Sequence, residues 1–122
     1  MIQVENIHKS FGDNHVLKGI STEFEKGKTN LIIGQSGSGK TVFIKCLLGL
    51  FEPDEGNIYY DGNCYSELSI KERRNLRQEM GMVFQGSALF DSMTVEGNVM
   101  FPLDMFTNQS QSEKQDRVDF VL

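Results

Sequence analysis

The sequence predicts an α/β fold in which a glycine-rich loop joins a buried strand to a helix, and three adjacent observations predict it. The run "TNLIIG" (29–34) is short and apolar at its centre, as strands buried on both faces are. The stretch "GQSGSGKT" (34–41) follows it directly. From Lys40 onward, apolar side chains recur at spacings of one, three and four residues, which is the periodicity of an amphipathic helix.

Further strands are predicted where apolar and polar residues alternate or where a short apolar run stands alone. Alternation predicts one strand at residues 1–7 and another at 16–24. Residues 57–60 form a third strand pattern, which enters an Asp61–Gly62 turn. The run "MGMVFQ" (80–85) predicts a second apolar strand. Strands are therefore expected both before and after the glycine-rich loop.

The remaining helices are predicted from capping residues and apolar spacing. Ser69 is the expected N-cap of a polar helix that runs to about Glu79. Apolar spacing predicts a short helix near 95–103, and Ser112 is the expected N-cap of a last helix that extends to Leu122. A serine hydroxyl accepts a hydrogen bond from a free first-turn amide, which is why both serines are predicted to start a helix.

Composition places the chain among globular proteins of one domain. Its 122 residues are 39% hydrophobic and 24% charged, which argues against wholesale disorder. A net charge of −5, with Lys and Arg scattered, disfavours non-specific nucleic-acid binding, because that requires a basic face. Cys46 and Cys64 lack metal-ligand spacing and are expected to be reduced thiols. The N-terminal residues are too polar for a signal peptide.

The glycine-rich stretch fits a phosphate-binding loop. Gly34, Gly39, Lys40 and Thr41 satisfy the pattern G-x-x-x-x-G-K-[ST] between a strand and a helix. Glycines let backbone amides approach a triphosphate, and the helix N-terminus favours its negative charge. Lys40 would reach the β- and γ-phosphates, and the Thr41 hydroxyl would ligate Mg²⁺. A flexible Gly/Ser linker is the alternative, but it explains neither the lysine nor the threonine.

Three longer stretches carry a resemblance to a known family. They are "VENIHKSFGDNHVLKGISTEFEKGKTNLIIGQSGSGKT" (4–41), "GLFEPDEGNIYYDG" (49–62) and "RQEMGMVFQ" (77–85). Together they resemble the opening of an ABC transporter ATPase domain, and the resemblance runs from Met1 to about Leu103. It implies a P-loop NTPase fold with an antiparallel β subdomain against an α/β core, and it implies ATP and Mg²⁺ as ligands.

The resemblance also implies roles for individual residues. Phe11 falls where the family places an aromatic residue, usually Tyr, to stack on adenine; a plain core role is the alternative. Val16 falls near the nucleotide sugar. Gln85 falls on the Q-loop glutamine, a catalytic position that touches Mg²⁺ and the attacking water. Thr41 and Gln85 would hold the metal. The expected phosphate contacts come from Gly34, Gln35, Ser36, Gly37, Ser38, Gly39, Lys40, Thr41 and Val42.

Two positions of the loop depart from the family pattern. Gln35 replaces the usual proline, which leaves the backbone contacts available. Val42 stands where the family has a hydroxyl residue that contacts the α-phosphate. The second departure is expected to weaken nucleotide binding somewhat while leaving the metal ligand in place.

The stretch "GMVFQGSALFDSMTVEGNVMFPL" (81–103) narrows the resemblance to the ATPase of Mla-type phospholipid transport systems, although Gly97 replaces a usual acidic residue. This implies a membrane permease, a second ATPase copy and an MCE-domain lipid-binding protein as partners, and no nucleic acid. It also implies a peripheral location at the cytoplasmic face of the inner membrane. Four apolar residues would line the groove for a permease helix, or would simply be core: Leu89, Phe90, Met93 and Met100.

Several family motifs do not occur in the sequence. There is no LSGGQ-like signature, no apolar strand that ends in Asp-Glu (Walker B), and no switch histidine after one. In the family, the Walker B strand lies between the P-loop strand and the Q-loop strand. Residues 1–122 are therefore expected to be the N-terminal half of an ABC ATPase domain, which alone would not hydrolyse ATP.

Four functions remain open at this point. The first is an ATPase subunit that powers transport, most specifically of phospholipids. The second is a nucleotide-binding module without turnover, and the third is the ATPase of a non-lipid ABC importer. The fourth is a non-transport ABC protein of translation or DNA repair.

Overall fold

Four antiparallel strands form the sheet at the start of the chain. The computed structural model describes residues 1–122, and the sheet belongs to the first of two units, Met1–Gly81. Its strand order is β2-β1-β3-β4. The bounds are β1 Ile2–Phe11, β2 Asn14–Phe24, β3 Glu55–Tyr60 and β4 Asn63–Cys64. The strands predicted from alternation are thus confirmed, as is the turn at Asp61–Gly62.

One helix packs on this sheet and carries the glycine loop at its start. Helix α1 spans Lys40–Leu47, and its buried residues Phe43 and Cys46 are three apart, so they share one face. They join a core of strand and turn residues: Val4, Ile7, Leu17, Ile58, Tyr60 and Tyr65. The Tyr60 hydroxyl donates a hydrogen bond to the Leu47 carbonyl, which satisfies an acceptor at the C-terminal end of α1.

A short polar helix completes the first unit. A 3₁₀ turn at Tyr65–Glu67 leads into helix α2, Ile70–Gln78. Ser69 caps α2 as predicted, because its hydroxyl accepts from the Glu72 amide while the Glu72 carboxylate accepts from the Ser69 amide.

The second unit, Met82–Leu122, contains two helices. Helix α3 spans Val95–Phe106 and is capped by Thr94. Helix α4 spans Gln111–Val121, and its N-cap is Ser110, not the predicted Ser112. Ser110 prevails because Glu113 stands three residues after it and completes a capping box. No helix in the chain is both long and apolar enough to cross a membrane.

The two predicted apolar strands are not formed. Residues 29–34 and 80–85 pair with no strand, and Leu31, Ile33 and Val83 expose 85%, 81% and 94% of their surface. A strand exists only through hydrogen bonds to a neighbour. All four strands that residues 1–122 form pair within the antiparallel sheet, and neither apolar run pairs with them or with the other run.

Candidate nucleotide-binding site

The start of helix α1 differs from the starts of the other α-helices. Helices α2, α3 and α4 each begin with a side-chain hydroxyl that accepts a first-turn amide, whereas α1 begins at Gly39 with no side-chain cap. The amides of Lys40, Thr41 and Val42 donate to no acceptor within the chain. Unpaired amides at the positive end of a helix dipole form an anion-binding site.

At two glycines of the loop, a Cβ would come close to a neighbouring side chain. Gly39 adopts φ 97°, and a Cβ there would lie 2.9 Å from Val16 Cγ1 and 3.1 Å from Leu17 Cδ2. At Gly34, a Cβ would lie 2.6 Å from the Ser38 Oγ. All three distances are shorter than ordinary van der Waals contact. Gly39 is therefore packed closely against β2, so the end of the loop is held beside the sheet.

Lys40 already folds back over the loop. Its Nζ donates hydrogen bonds of 2.7 Å to the carbonyl oxygens of Gly34 and Gln35. The Ser38 amide donates to the same Gln35 carbonyl at 3.1 Å. The ammonium group thus lies on the glycine-rich loop that leads into its own helix, and it brings a full positive charge to that loop.

The other predicted loop residues are mostly open to solvent. Ser36, Gly37, Ser38 and Thr41 are exposed, so the Thr41 hydroxyl is free to ligate a cation. Val42 instead packs its side chain partly against the core, which leaves only its amide for a phosphate. These residues fit a Mg²⁺-bound triphosphate, with one hydroxyl oxygen as the protein's ligand in this loop.

The structure brings Val16 to the loop, and it leaves Phe11 partly open. Val16 lies on β2 directly against Gly39, so its side chain borders the loop. Phe11 ends β1 with 44% of its surface exposed. Its ring meets that of Phe51 edge to face at 5.4 Å between centroids, and Lys9 Nζ lies over it at 5.5 Å. An exposed ring is consistent with base stacking and is not a core position.

Gln85 belongs to the second unit. It lies exposed in a turn that continues through Gly86, which has φ 89°. Its amide is thus accessible, as a residue that orients water or a metal must be.

The loop after Gln85 is fixed by a residue that the sequence did not single out. Asn98 Oδ1 accepts from the Phe90 amide at 2.8 Å, and its Nδ2 donates to the carbonyls of Phe90 and Thr94 at 3.0 and 2.9 Å. The Phe90 ring also packs edge to face on Phe101, at 4.8 Å. Of the four predicted groove residues, Met100 is buried, whereas three are exposed: Leu89, Phe90 and Met93.

Two further residues near Phe11 were also missed. Asp54 accepts hydrogen bonds from Lys9 Nζ and the Ser10 amide at 2.8 and 2.6 Å. These bonds, the Lys9 one foremost, hold the pKa of the Asp54 carboxyl below its ordinary value. Phe51 packs on Phe11 as described. No local sequence pattern marks Asp54 or Phe51, because each contacts residues about forty positions earlier in the chain.

The antiparallel sheet, helix α1 and the glycine loop at its start define a protein of the P-loop class. Residues 17–122 match the family model described as ABC transporter. The chain therefore belongs to the ABC transporter family. The fold class predicted from the sequence is confirmed.

Relatives and a solved structure agree with this assignment. The chain is 38% identical over 96% of its length to the probable ribonucleotide transport ATP-binding protein mkl of Mycobacterium leprae, of which it covers 34%. It is 50% identical over 82% of its length to the L-cystine import ATP-binding protein TcyN of Bacillus subtilis, of which it covers 39%. It is 40% identical over 94% of its length to the chloroplastic protein trigalactosyldiacylglycerol 3 of Arabidopsis thaliana, of which it covers 32%.

The solved structure is the dimeric, post-hydrolysis state of the ATP-binding cassette MJ0796 bound to ADP and Pi. The chain aligns to it with a TM-score of 0.83 at 28% identity, over 98% of this chain and 55% of that one. Of the three curated relatives named above, the chain spans about a third of the length of each.

Proposed function

We propose that this chain forms the N-terminal half of the ATPase domain in the ATP-binding subunit of a membrane transporter. The observation that carries this proposal is the start of α1, where three first-turn amides are unpaired and the Lys40 ammonium folds onto the carbonyls of the preceding glycine-rich loop. A triphosphate supplies the charge and the acceptors that these groups lack. Family membership supports ATP as that triphosphate.

Different residues of the site bind different parts of Mg-ATP. Backbone amides from Gly34 through Val42 cradle the phosphates, and Lys40 moves from its carbonyl partners to the β- and γ-phosphates. The Thr41 hydroxyl and the Gln85 amide oxygen would hold Mg²⁺, which would neutralise phosphate charge. Phe11 stacks on adenine and Val16 borders the sugar.

Gln85 has the catalytic role of orienting the attacking water. Its exposed amide both donates and accepts, so it can hold a water without a charge of its own. The loop that follows it, fixed by Asn98, presents Leu89, Phe90 and Met93 to solvent. We propose that this surface receives a helix of the permease, so that chemistry and transport are coupled through Gln85. Flexible methionine suits such a contact.

Phospholipids are the proposed cargo. Two observations support them: the Mla-type pattern of residues 81–103 and a relative named after a diacylglycerol lipid. The assembly then contains a permease, two ATPase copies and an MCE-domain lipid-binding protein, at the cytoplasmic face of the inner membrane. The dimeric state of the MJ0796 cassette supports the second ATPase copy.

The proposal is tested by Gln85→Ala in the full-length protein assembled with its permease. We expect permease-stimulated ATP turnover to fall by about 10²-fold, the lower range for losing a catalytic group, while ATP affinity stays within a few-fold. Phosphate release and ATP binding are the two measurements. Loss of binding with unchanged turnover at saturating ATP would show that Gln85 holds nucleotide and does not act on water.

A second candidate cargo is a small polar solute, and the 50% identity to an L-cystine import protein favours it. Proteoliposomes that contain the whole transporter distinguish the two. Phospholipid cargo predicts ATP-dependent movement of labelled lipid between membranes and no uptake of labelled cystine. The opposite pattern would assign the chain to solute import and leave its ATPase role unchanged.

A further inference from the structure

We propose that Asp54 and Phe51, in the segment after helix α1, are positioning residues that hold Phe11 as the platform for the nucleotide base. The inference rests on the proposed function, since it assumes that Phe11 stacks on adenine. It adds a physical link between Phe11, which is proposed to bind the base, and helix α1, whose start is proposed to bind the phosphates.

Asp54 fixes the backbone and side chain that precede Phe11. Its carboxylate accepts from the Ser10 amide at 2.6 Å and from Lys9 Nζ at 2.8 Å, and its own amide donates to the His8 carbonyl at 2.8 Å. Three hydrogen bonds therefore connect Asp54 to residues 8–10, which directly precede Phe11 in β1. Bonds to an ionised carboxylate are the stronger kind, so this tie is well suited to fixing a position.

Asp54 also holds the positively charged Lys9 side chain over the Phe11 ring. Lys9 Nζ lies 5.5 Å from the Phe11 ring centroid while it donates to Asp54. A cation over the face of an aromatic ring is attracted to its π-electrons, so Lys9 is a second contact that holds the ring in place.

Phe51 connects the same ring to α1. Its ring packs edge to face on Phe11, and its amide donates to the Lys45 carbonyl at 3.2 Å. Lys45 Nζ in turn lies 5.2 Å from the Phe51 ring centroid. Because Lys45 lies on the helix that starts at Lys40, the position of Phe11 is set relative to the phosphate loop through one packed side chain.

The test compares two ligands, Mg-ATP and Mg-tripolyphosphate, which has the phosphates but no base. Both affinities are measured by calorimetry on the full-length protein and its variants. We expect Phe11→Ala to weaken ATP binding about 5- to 150-fold, the range for losing a base–aromatic stack. We expect Asp54→Ala to weaken it about 3- to 10-fold through loss of coupling to Phe11. Tripolyphosphate affinity should change less than about twofold in both.

The double variant Phe11→Ala/Asp54→Ala isolates positioning from general stability. If Asp54 acts through Phe11, Asp54→Ala has an effect below about twofold once the ring is gone. Phe51→Leu, which keeps apolar volume, should show the same dependence on Phe11. Asp61→Ala is the matched control, because Asp61 is also an exposed, ion-paired aspartate but its partner is the N-terminus.

The outcomes separate the inference from the function on which it rests. If Phe11→Ala leaves the ratio of ATP to tripolyphosphate affinity unchanged, Phe11 is no base platform and both statements about it fall. If Phe11→Ala lowers that ratio but Asp54→Ala adds the same loss with or without the ring, only the positioning role is wrong. Equal weakening of both ligands by Asp54→Ala would likewise show a general structural role.

Discussion

Gly39 is the residue at which backbone conformation matters most directly to the site. It combines φ 97° with a position where a Cβ would lie 2.9 Å from Val16 Cγ1. A side chain therefore meets two separate costs, one from the left-handed backbone and one from the collision.

We expect Gly39→Ala to destabilise the protein by about 2 to 4 kcal/mol, the sum of a strained φ and an overpacked contact. Gly27→Ala is the control, because Gly27 has φ 72° with no atom near its missing Cβ, so only the first cost of about 1 kcal/mol applies. Urea unfolding of the two variants measures the difference. Equal losses would show that Val16 gives way and that the loop is less tightly packed.

At the scale of secondary structure, the start of helix α4 allows a clean comparison of two serines. The Ser110 hydroxyl accepts from the Glu113 amide, and the Glu113 carboxylate accepts from the Ser110 amide at 2.8 Å. Ser112 lies within the helix and caps nothing. We expect Ser110→Ala to cost about 1 kcal/mol of stability and Ser112→Ala to be close to neutral, as measured by thermal unfolding.

The same cap should depend on pH. Hydrogen bonds from the Ser110 amide, and then from its hydroxyl, hold the pKa of Glu113 below its ordinary value of 4.5. A lowered pKa in the folded state means that the stabilisation is present above the unfolded pKa and is lost as pH falls through the folded one. The difference between the parent and Ser110→Ala should therefore shrink below about pH 4.5. A difference that is constant down to pH 3 would indicate that the hydroxyl alone carries the cap.

The strands and helices also show which elements can be predicted from the sequence. Alternation located β1 to β3, and the cap at Ser69 located α2, because both signals come from neighbours in the chain. Ser110 could have been found from Glu113 three residues later. The runs at 29–34 and 80–85 could not be assigned correctly, since an apolar run becomes a strand only beside a distant partner.

The residues of the candidate site also differ in whether the sequence predicts them. The loop at Gly34–Thr41 was predictable because its residues are consecutive and their order follows from phosphate chemistry. The ties that hold Phe11, through Asp54 and Phe51, were not predictable, because they join residues about forty positions apart. Asn98 was missed because its partners are carbonyls and an amide, which any sequence provides.

At the scale of the whole molecule, each unit carries some of the residues that the sequence predicts for ATP binding. The first unit carries the phosphate loop, Val16 and Phe11, and the second carries Gln85 with the loop that follows it. The family match runs through both units, over residues 17–122. The central claim is that the uncapped start of α1 binds the phosphates of ATP.

Affinity for Mg-ATP in the full-length protein with Lys40→Ala tests that claim most directly. Lys40 supplies the only ammonium that folds onto the loop carbonyls, so its removal should weaken binding by about 1.5 to 3 kcal/mol, or roughly 10- to 150-fold. Lys71→Ala, an exposed lysine on α2, is the control and should bind as the parent does. Unaltered ATP affinity in Lys40→Ala would contradict the account, because the phosphates would then bind elsewhere.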